Sequence, residues 1–325
     1  MLRTLSCDGG GIGGIFTTTL IERLDATYNG TFVKSLDAIA GTSTGSIIAA
    51  GLAFGIDPKE ISNLYIELAK EVFKKKRGYR YIPRDLQLLL GTPYNNKKLY
   101  GVLFDIFGDT RLGDLKKKIF IPTLAGDRRL GNKRFADAYF FNNIAKNGRD
   151  KNIRLVDACV ASSSAPFYFK PWQGQYVDGG LVLNNPSVAF VTEMMDTGIK
   201  PNEMALLSLG TGKIAPFIDS EANSWNILRY LKLIFDMITY SNIRVSDKLA
   251  SKMMDANYFR FAPSLSKDYS IDDPKDMGWI RDEALKLDIK EAEQFILGFY
   301  KLYEFRKGAE AFTKIRKDRD ENELT

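Results

Sequence analysis

The sequence predicts an α/β protein built on a mostly parallel sheet with helices on both faces. Two observations carry this. Strand-like and helix-like patterns alternate over the first two thirds of the chain, as parallel strands joined by crossover helices require. The short apolar runs at 3–7, 36–40, 175–177 and 204–209 also end at or near glycine-rich clusters, the punctuation expected at strand ends. The composition agrees: 325 residues, 45% hydrophobic and 26% charged, is ordinary for a globular chain, and no apolar run approaches the roughly 18–20 residues of a membrane span.

Taken in order, 3–7 reads as a strand, and 15–28 as a helix because Ile15, Phe16, Leu20, Ile21 and Leu24 recur at helical spacing. Residues 36–40 form a second strand. The small and apolar run 46–54 predicts a buried helix, and Asp57-Pro58 starts another, with Asp as N-cap and Pro at the first helical position. Residues 119–124 and 134–141 read as strands, 156–162 as a short helix, 175–177 as a strand, 186–195 as a helix and 204–209 as a strand. Beyond Lys213 the pattern changes to amphipathic helices at 224–238 and 289–312, the latter with Phe295, Ile296, Phe299, Tyr300 and Tyr303 on one face. The expected organisation is a core over 1–212 and a helical region over 213–325 packed on it, with no linker-like composition between them.

The most restrictive count is zero histidines, which excludes Ser-His-Asp triads, Cys-His dyads and histidine-ligated metals. Two cysteines, Cys7 and Cys159, and no C-x-x-C exclude a disulfide framework and a cysteine-rich metal site; two buried free thiols in a reducing compartment are expected. The start MLRTLSCDGGG carries no apolar signal segment, so a cytoplasmic protein is expected. Net charge is +6. The excess gathers between Lys70 and Lys98, where a solvated helix end and loop is the plain reading and a patch for anionic lipid head groups the sharper one. No nucleic-acid motif accompanies it, so DNA and RNA are not expected partners.

Three motifs carry chemistry. Gly41-Thr42-Ser43-Thr44-Gly45 is a G-x-S-x-G between a short strand and a small-residue helix. In that setting the serine sits on a tight turn at a helix N-terminus with its hydroxyl exposed, and the flanking glycines avoid a Cβ clash. Asp8-Gly9-Gly10-Gly11-Ile12-Gly13-Gly14 follows the first strand, and consecutive glycines there expose N–H groups able to hold an anion. Gly9, Gly11 and Gly14 also match G-x-G-x-x-G, so a nucleotide-binding Rossmann-like protein is the alternative. Its acidic ribose-binding residue is poorly supplied, because Asp37 begins the second strand rather than ending it. Asp178-Gly179-Gly180 offers a carboxylate at a strand end. Without histidine, such a group can serve as the base for a serine, although an isolated Asp-Gly is more often a turn.

The ordered set of D-G-G-G, G-T-S-T-G and D-G-G resembles the patatin-like phospholipase family. Three further segments agree: 161–166 (A-S-S-S-A-P), Asn184-Asn185-Pro186 and 208–212 (S-L-G-T-G). The resemblance runs over roughly residues 3–212 and implies a three-layer α/β/α fold and a serine acyl hydrolase of phospholipid esters. Ser43 would be the nucleophile and Asp178 its base. The N–H groups of Gly10, Gly11 and Thr44 would form the oxyanion hole, and Gly9, Gly41, Gly45, Gly179 and Gly180 would be motif glycines. No cofactor and no metal is implied. One departure stands out: the family loop carries arginine where this chain has Gly13. That opens the prospect of another basic residue in its place, or of a catalytically weak binding protein as a second alternative. Phe167, Tyr168, Phe169 and Trp172 are candidates for an acyl pocket, with at least half of them expected in ordinary core packing. The resemblance further implies membrane phospholipid as substrate through peripheral contact. A cyclic oligonucleotide activator, as in anti-phage effectors of this family, and a homo-oligomer are the other candidate partners.

Overall fold

The computed structural model describes residues 1–74, 92–218 and 227–300. Its middle layer is a seven-stranded sheet of β1 (Leu2–Cys7), β2 (Ala38–Gly41), β3 (Lys118–Leu130), β4 (Lys133–Asn142), β5 (Tyr176–Asp178), β6 (Met204–Leu209) and β7 (Tyr258–Phe261). The spatial order is β4-β3-β2-β1-β6-β7, with β5 paired to β3. The centre is parallel, from β3 through β2, β1 and β6 to β7, whereas β4 and β5 run antiparallel to β3.

Side chains along the strands alternate between two buried layers, which is why both faces are covered. Leu5, Cys7, Ile39, Ile119, Ile121, Leu207 and Leu209 face one side. They pack there against α1 (Gly14–Thr27), α3 (Thr44–Phe54), α4 (Pro58–Val72), α5 (Asn96–Phe107) and α6 (Leu155–Ser162), as well as the later α10 (Met277–Lys286) and α11 (Lys290–Tyr300). Ala38, Ala40, Phe120, Met204 and Leu206 face the other side, against α8 (Ser187–Asp196) and α9 (Ile227–Met254). Two short helices, α2 (Phe32–Ser35) and α7 (Gly180–Leu183), complete the chain order. The expected three layers are therefore present. Both cysteines are buried and free, and burial pushes the Cys159 thiol up to about 12.

Local chemistry explains the ends of these elements. Asp57 caps α4 by accepting from the Lys59 N–H at 3.0 Å, ahead of Pro58. Asn95 caps α5 through Lys97 N–H at 2.9 Å. The latter helix is one that the sequence reading passes over, because its lysines merge with the basic stretch before it; most of that stretch, 75–91, lies outside the described residues. Helix α9 runs to Met254, well past the expected end at 238. Strand β7 is a further addition, in a region expected to be helical. Its apolar run is interrupted by Arg260, which hides the strand pattern.

Arg260 is largely withdrawn from solvent because it has a partner at the top of the sheet. Its guanidinium donates to Asp8 at 2.5 and 3.1 Å and to Ser208 Oγ at 2.8 Å. Burial alone raises the Asp8 carboxyl, and Arg260 offsets part of that effect. The pair joins β7, from the C-terminal region, to the glycine loop after β1. The loop is also gripped from above. Ile12 N–H donates to the Ile271 carbonyl at 2.9 Å, and a Cβ at Gly11 would lie 2.1 Å from that same oxygen. A Cβ at Gly13 would fall 1.9 Å from Tyr269 Oη. The phenol hydroxyl of Tyr269 donates to the Thr211 carbonyl at 2.9 Å, so the space of a side chain at position 13 is taken. At the position where the family carries arginine, the space of a side chain is thus filled by a tyrosine more than 250 positions later in the chain.

Two outcomes follow for stability. Arg260→Leu strands a buried carboxylate and is expected to cost about 3–5 kcal/mol in urea unfolding, with part recovered in an Asp8→Asn/Arg260→Leu double variant. Gly13→Ala is expected to cost roughly 1–3 kcal/mol through overpacking. The penalty should shrink in a Tyr269→Phe background, which a double-mutant cycle of thermal or urea unfolding checks.

Candidate active site

The register of the central strands decides where the motifs meet. Cys7 pairs with Gly41 on one side and Leu209 on the other, so β1, β2 and β6 end level. The loops at 8–14, 42–43 and 210–212 therefore leave the sheet side by side at its carboxyl edge, where open α/β sheets hold their sites. Strand β5 reaches the same edge from the opposite direction, placing Asp178 across from Thr123.

Ser43 stands between β2 and α3 with φ +51°, a conformation that non-glycine residues adopt only when held. Three contacts hold it. The Ser43 N–H donates to Ser162 Oγ at 2.9 Å, and Ser162 in turn donates to the Pro122 carbonyl at 2.6 Å. Thr42 Oγ1 donates to the Leu183 carbonyl at 2.6 Å. The turn closes only because the flanking positions lack side chains: a Cβ at Gly41 would sit 2.0 Å from the Gly45 carbonyl, and one at Gly45 2.2 Å from the Cys7 carbonyl.

Ser43 Oγ donates to Asp178 Oδ2 at 2.7 Å, and Gly180 N–H donates to Asp178 Oδ1 at 2.7 Å. Asp178 is 3% exposed, and that burial pushes its carboxyl up to about 6, with the two hydrogen bonds opposing the rise. Its strand end is anchored on the segment after α6: Asp178 N–H donates to the Ser164 carbonyl and Gly179 N–H to the Ser162 carbonyl, each at 3.0 Å. Gly179 is pressed so close to Pro122 that a Cβ would lie 2.2 Å from its carbonyl oxygen. A serine hydroxyl sharing its proton with a desolvated carboxylate of raised pKa is an arrangement competent for nucleophilic attack.

The glycine loop forms the opposite wall. Gly9, Gly10 and Gly11 line one cavity with Ser43, Thr44 and Asp178. Among the described residues no hydrogen bond takes up the N–H of Gly10, Gly11 or Thr44, leaving these donors available beside the serine at the N-terminus of α3. Asn184 Nδ2 fixes the loop by donating to the Gly9 carbonyl at 3.2 Å. Tyr65, buried on α4, joins both halves: its hydroxyl donates to the Gly11 carbonyl and pairs with Thr44 Oγ1. The two dyad candidates, the three oxyanion-hole candidates and the five motif glycines thus lie in or directly around one cavity.

An apolar arm leads away from the serine, between Leu68, Val72, Phe73, Leu99, Tyr168 and Phe169. Of the four aromatics proposed for an acyl pocket, Tyr168 and Phe169 line it. Phe167 packs on Phe235 at 6.1 Å and Trp172 stacks on Tyr100 at 5.3 Å, both in ordinary packing. Helix α9 closes the far side with Phe235, Thr239 and Ile243. It is tied to the Asp178 loop through Asn242, which accepts from Asn184 N–H and donates to the Gly180 carbonyl, each at 2.7 Å. Ser162, Tyr65, Asn242 and Arg260 had no distinctive spacing in the sequence; only the resemblance segment at 161–166 touched Ser162. Among the described residues no cluster of side chains suited to a metal ion occurs.

The chain is similar in sequence to several known phospholipases. A "cGAMP-activated phospholipase" of Vibrio cholerae is 32% identical over 232 residues, covering 65% of this chain and 64% of its own length. A protein of the same name from Pseudomonas aeruginosa is 28% identical over 276 residues, covering 82% of this chain and 80% of its own. The "85/88 kDa calcium-independent phospholipase A2" of Mus musculus is 27% identical over 312 residues, covering 84% of this chain and 37% of its own. This chain therefore spans just under two thirds of the Vibrio cholerae relative. The family model described as Patatin-like phospholipase matches residues 5–191, more than half of the sequence and all of the strand-end loops before β6, and the chain belongs to that family.

Proposed function

We propose that this protein hydrolyses acyl esters of membrane phospholipids through a Ser43–Asp178 dyad. The single observation that carries the reading is the 2.7 Å hydrogen bond from the half-buried turn serine to a buried carboxylate, in a chain that has no histidine. Asp178 takes the hydroxyl proton as Ser43 Oγ attacks the ester carbonyl. The developing oxyanion is met by the N–H groups of Gly10, Gly11 and Thr44. Collapse passes the proton from Asp178 to the leaving alcohol and leaves an acyl-enzyme, which water cleaves with Asp178 again as base. The apolar arm takes the acyl chain.

The protein acts peripherally from the cytoplasm in this reading; no helix among the described residues is long and apolar enough to cross a membrane. The region 1–212 carries the dyad, and 213–325 supplies the outer wall through α9. Because the bacterial relatives are named for activation by cyclic GMP–AMP, a cyclic oligonucleotide is the proposed activator, and a move of α9 or self-association is the natural means of gating.

Fatty-acid release from mixed phospholipid vesicles, with and without cyclic GMP–AMP, tests the reading. Ser43→Ala is expected to abolish release and Asp178→Asn to lower it roughly 10²- to 10⁴-fold, the worth of a general base. Equal release from wild type and Ser43→Ala would sink the mechanism. The base must be ionised to accept a proton. Activity is therefore expected to rise with pH through about 6 and then level, and a profile flat from pH 5 to 8 would count against Asp178. The native state holds this proton to higher pH than the unfolded chain. Asp178 therefore contributes less to stability as pH rises through that window, so acid inactivation below 6 should precede acid unfolding.

A further inference from the structure

A second cavity, of about 320 Å³, opens beside the catalytic one and shares Lys213, Asp236 and Ile271 with it. Its chemistry is opposite. Where the catalytic arm is apolar, this cavity is walled by two ammonium groups, Lys213 and Lys232, and three carboxylates, Asp236, Asp268 and Asp276. Lys213 is held at the boundary between the two. Its Nζ donates to Asp268 Oδ1 at 2.9 Å and to the Tyr269 carbonyl at 3.2 Å, and it lies 5.1 Å from the centre of the Tyr269 ring. That ring is itself fixed against Thr211 and Gly13. Asp236 lies one helical turn after Lys232 on α9 and faces both cavities. Burial raises its carboxyl, while the charges of Lys213 and Lys232 oppose the rise.

A neutral glyceride with its ester at Ser43 would cover these charges and offer them nothing, a costly desolvation. A glycerophospholipid carries a phosphodiester a few bonds from the scissile ester, so its head group would pass the Lys213 boundary into the charged cavity. Three carboxylates against two ammonium groups leave the walls with a net negative charge, which opposes a head group that is only anionic. We propose that this cavity is a head-group site for zwitterionic phospholipids bearing a primary ammonium: Lys213 and Lys232 take the phosphodiester oxygens, and Asp236, with Asp268 and Asp276, takes the ammonium. The assignment rests on the hydrolase reading for its orientation of the lipid.

The test separates the two. Ser43→Ala protein is titrated calorimetrically with monomeric dihexanoyl phosphatidylethanolamine, dihexanoyl phosphatidylglycerol and dihexanoylglycerol. The ethanolamine lipid is expected to bind about tenfold more tightly than either of the others, because phosphatidylglycerol adds like charge to a net negative wall and dihexanoylglycerol offers it no ionic group. Asp236→Asn should erase the margin over phosphatidylglycerol, and Lys232→Gln should weaken both phospholipids but not dihexanoylglycerol, with thermal midpoints confirming that both variants fold. Equal affinities, or tighter binding of phosphatidylglycerol, would overturn the site. Binding with this preference but no fatty-acid release by wild type, with or without cyclic GMP–AMP, would overturn the hydrolysis and leave the site standing. Release with no head-group preference would overturn the site alone.

Discussion

The constraint on which the rest depends is the close approach of backbones at the carboxyl edge of the sheet. Three parallel strands end level, and the turns that leave them are packed so tightly that side chains are excluded where Gly45 meets the Cys7 carbonyl and where Gly179 meets that of Pro122. This crowding costs stability locally, with Ser43 held at positive φ at an expense of order 1–3 kcal/mol. What results is a serine hydroxyl held 2.7 Å from Asp178, beside N–H groups that no hydrogen bond among the described residues takes up.

The C-terminal region contributes to that edge through polar anchors as well as through packing. Arg260 binds the loop at Asp8, the Ile271 carbonyl receives Ile12 N–H, and Asn242 bridges the segment after Asp178. Each anchor joins residues far apart in the chain. The glycine loop is therefore a product of the whole fold, since nothing in its own sequence would hold it open.

This separates what could be read in advance from what could not. That Ser43 and Asp178 would come together was legible because the pair leaves local marks: glycines at fixed offsets on each side, in a chain that offers no histidine. The alternation of strands and helices was legible for the same reason, since the pattern of burial along a strand or helix is written in neighbouring residues. Strand β7 was not, because its burial depends on Arg260 finding Asp8 across 252 positions. Tyr269 in the space of a side chain at Gly13 is the same kind of fact: a phenol brought there from a distant part of the chain has no local signature. The Rossmann-like alternative gives way to the patatin-like family match over residues 5–191, within which the glycine loop lies beside Ser43 and packs against Thr211, Ile271 and Tyr269.

The cavity above Ser43 has two walls of different origin. The floor and catalytic side come from strand-end loops, in which an added methyl group would collide with backbone. The outer wall comes from one face of a long amphipathic helix, α9, which presents the side chains of Phe235, Thr239 and Ile243 to the cavity. The two walls can accept change at very different rates. Substitutions on the helix alter the volume and charge that a substrate meets while leaving the reacting atoms where they are. In the proposed reading, a handful of helical positions would decide which lipid is accepted, while the glycine turns at the strand ends keep Ser43 and Asp178 together.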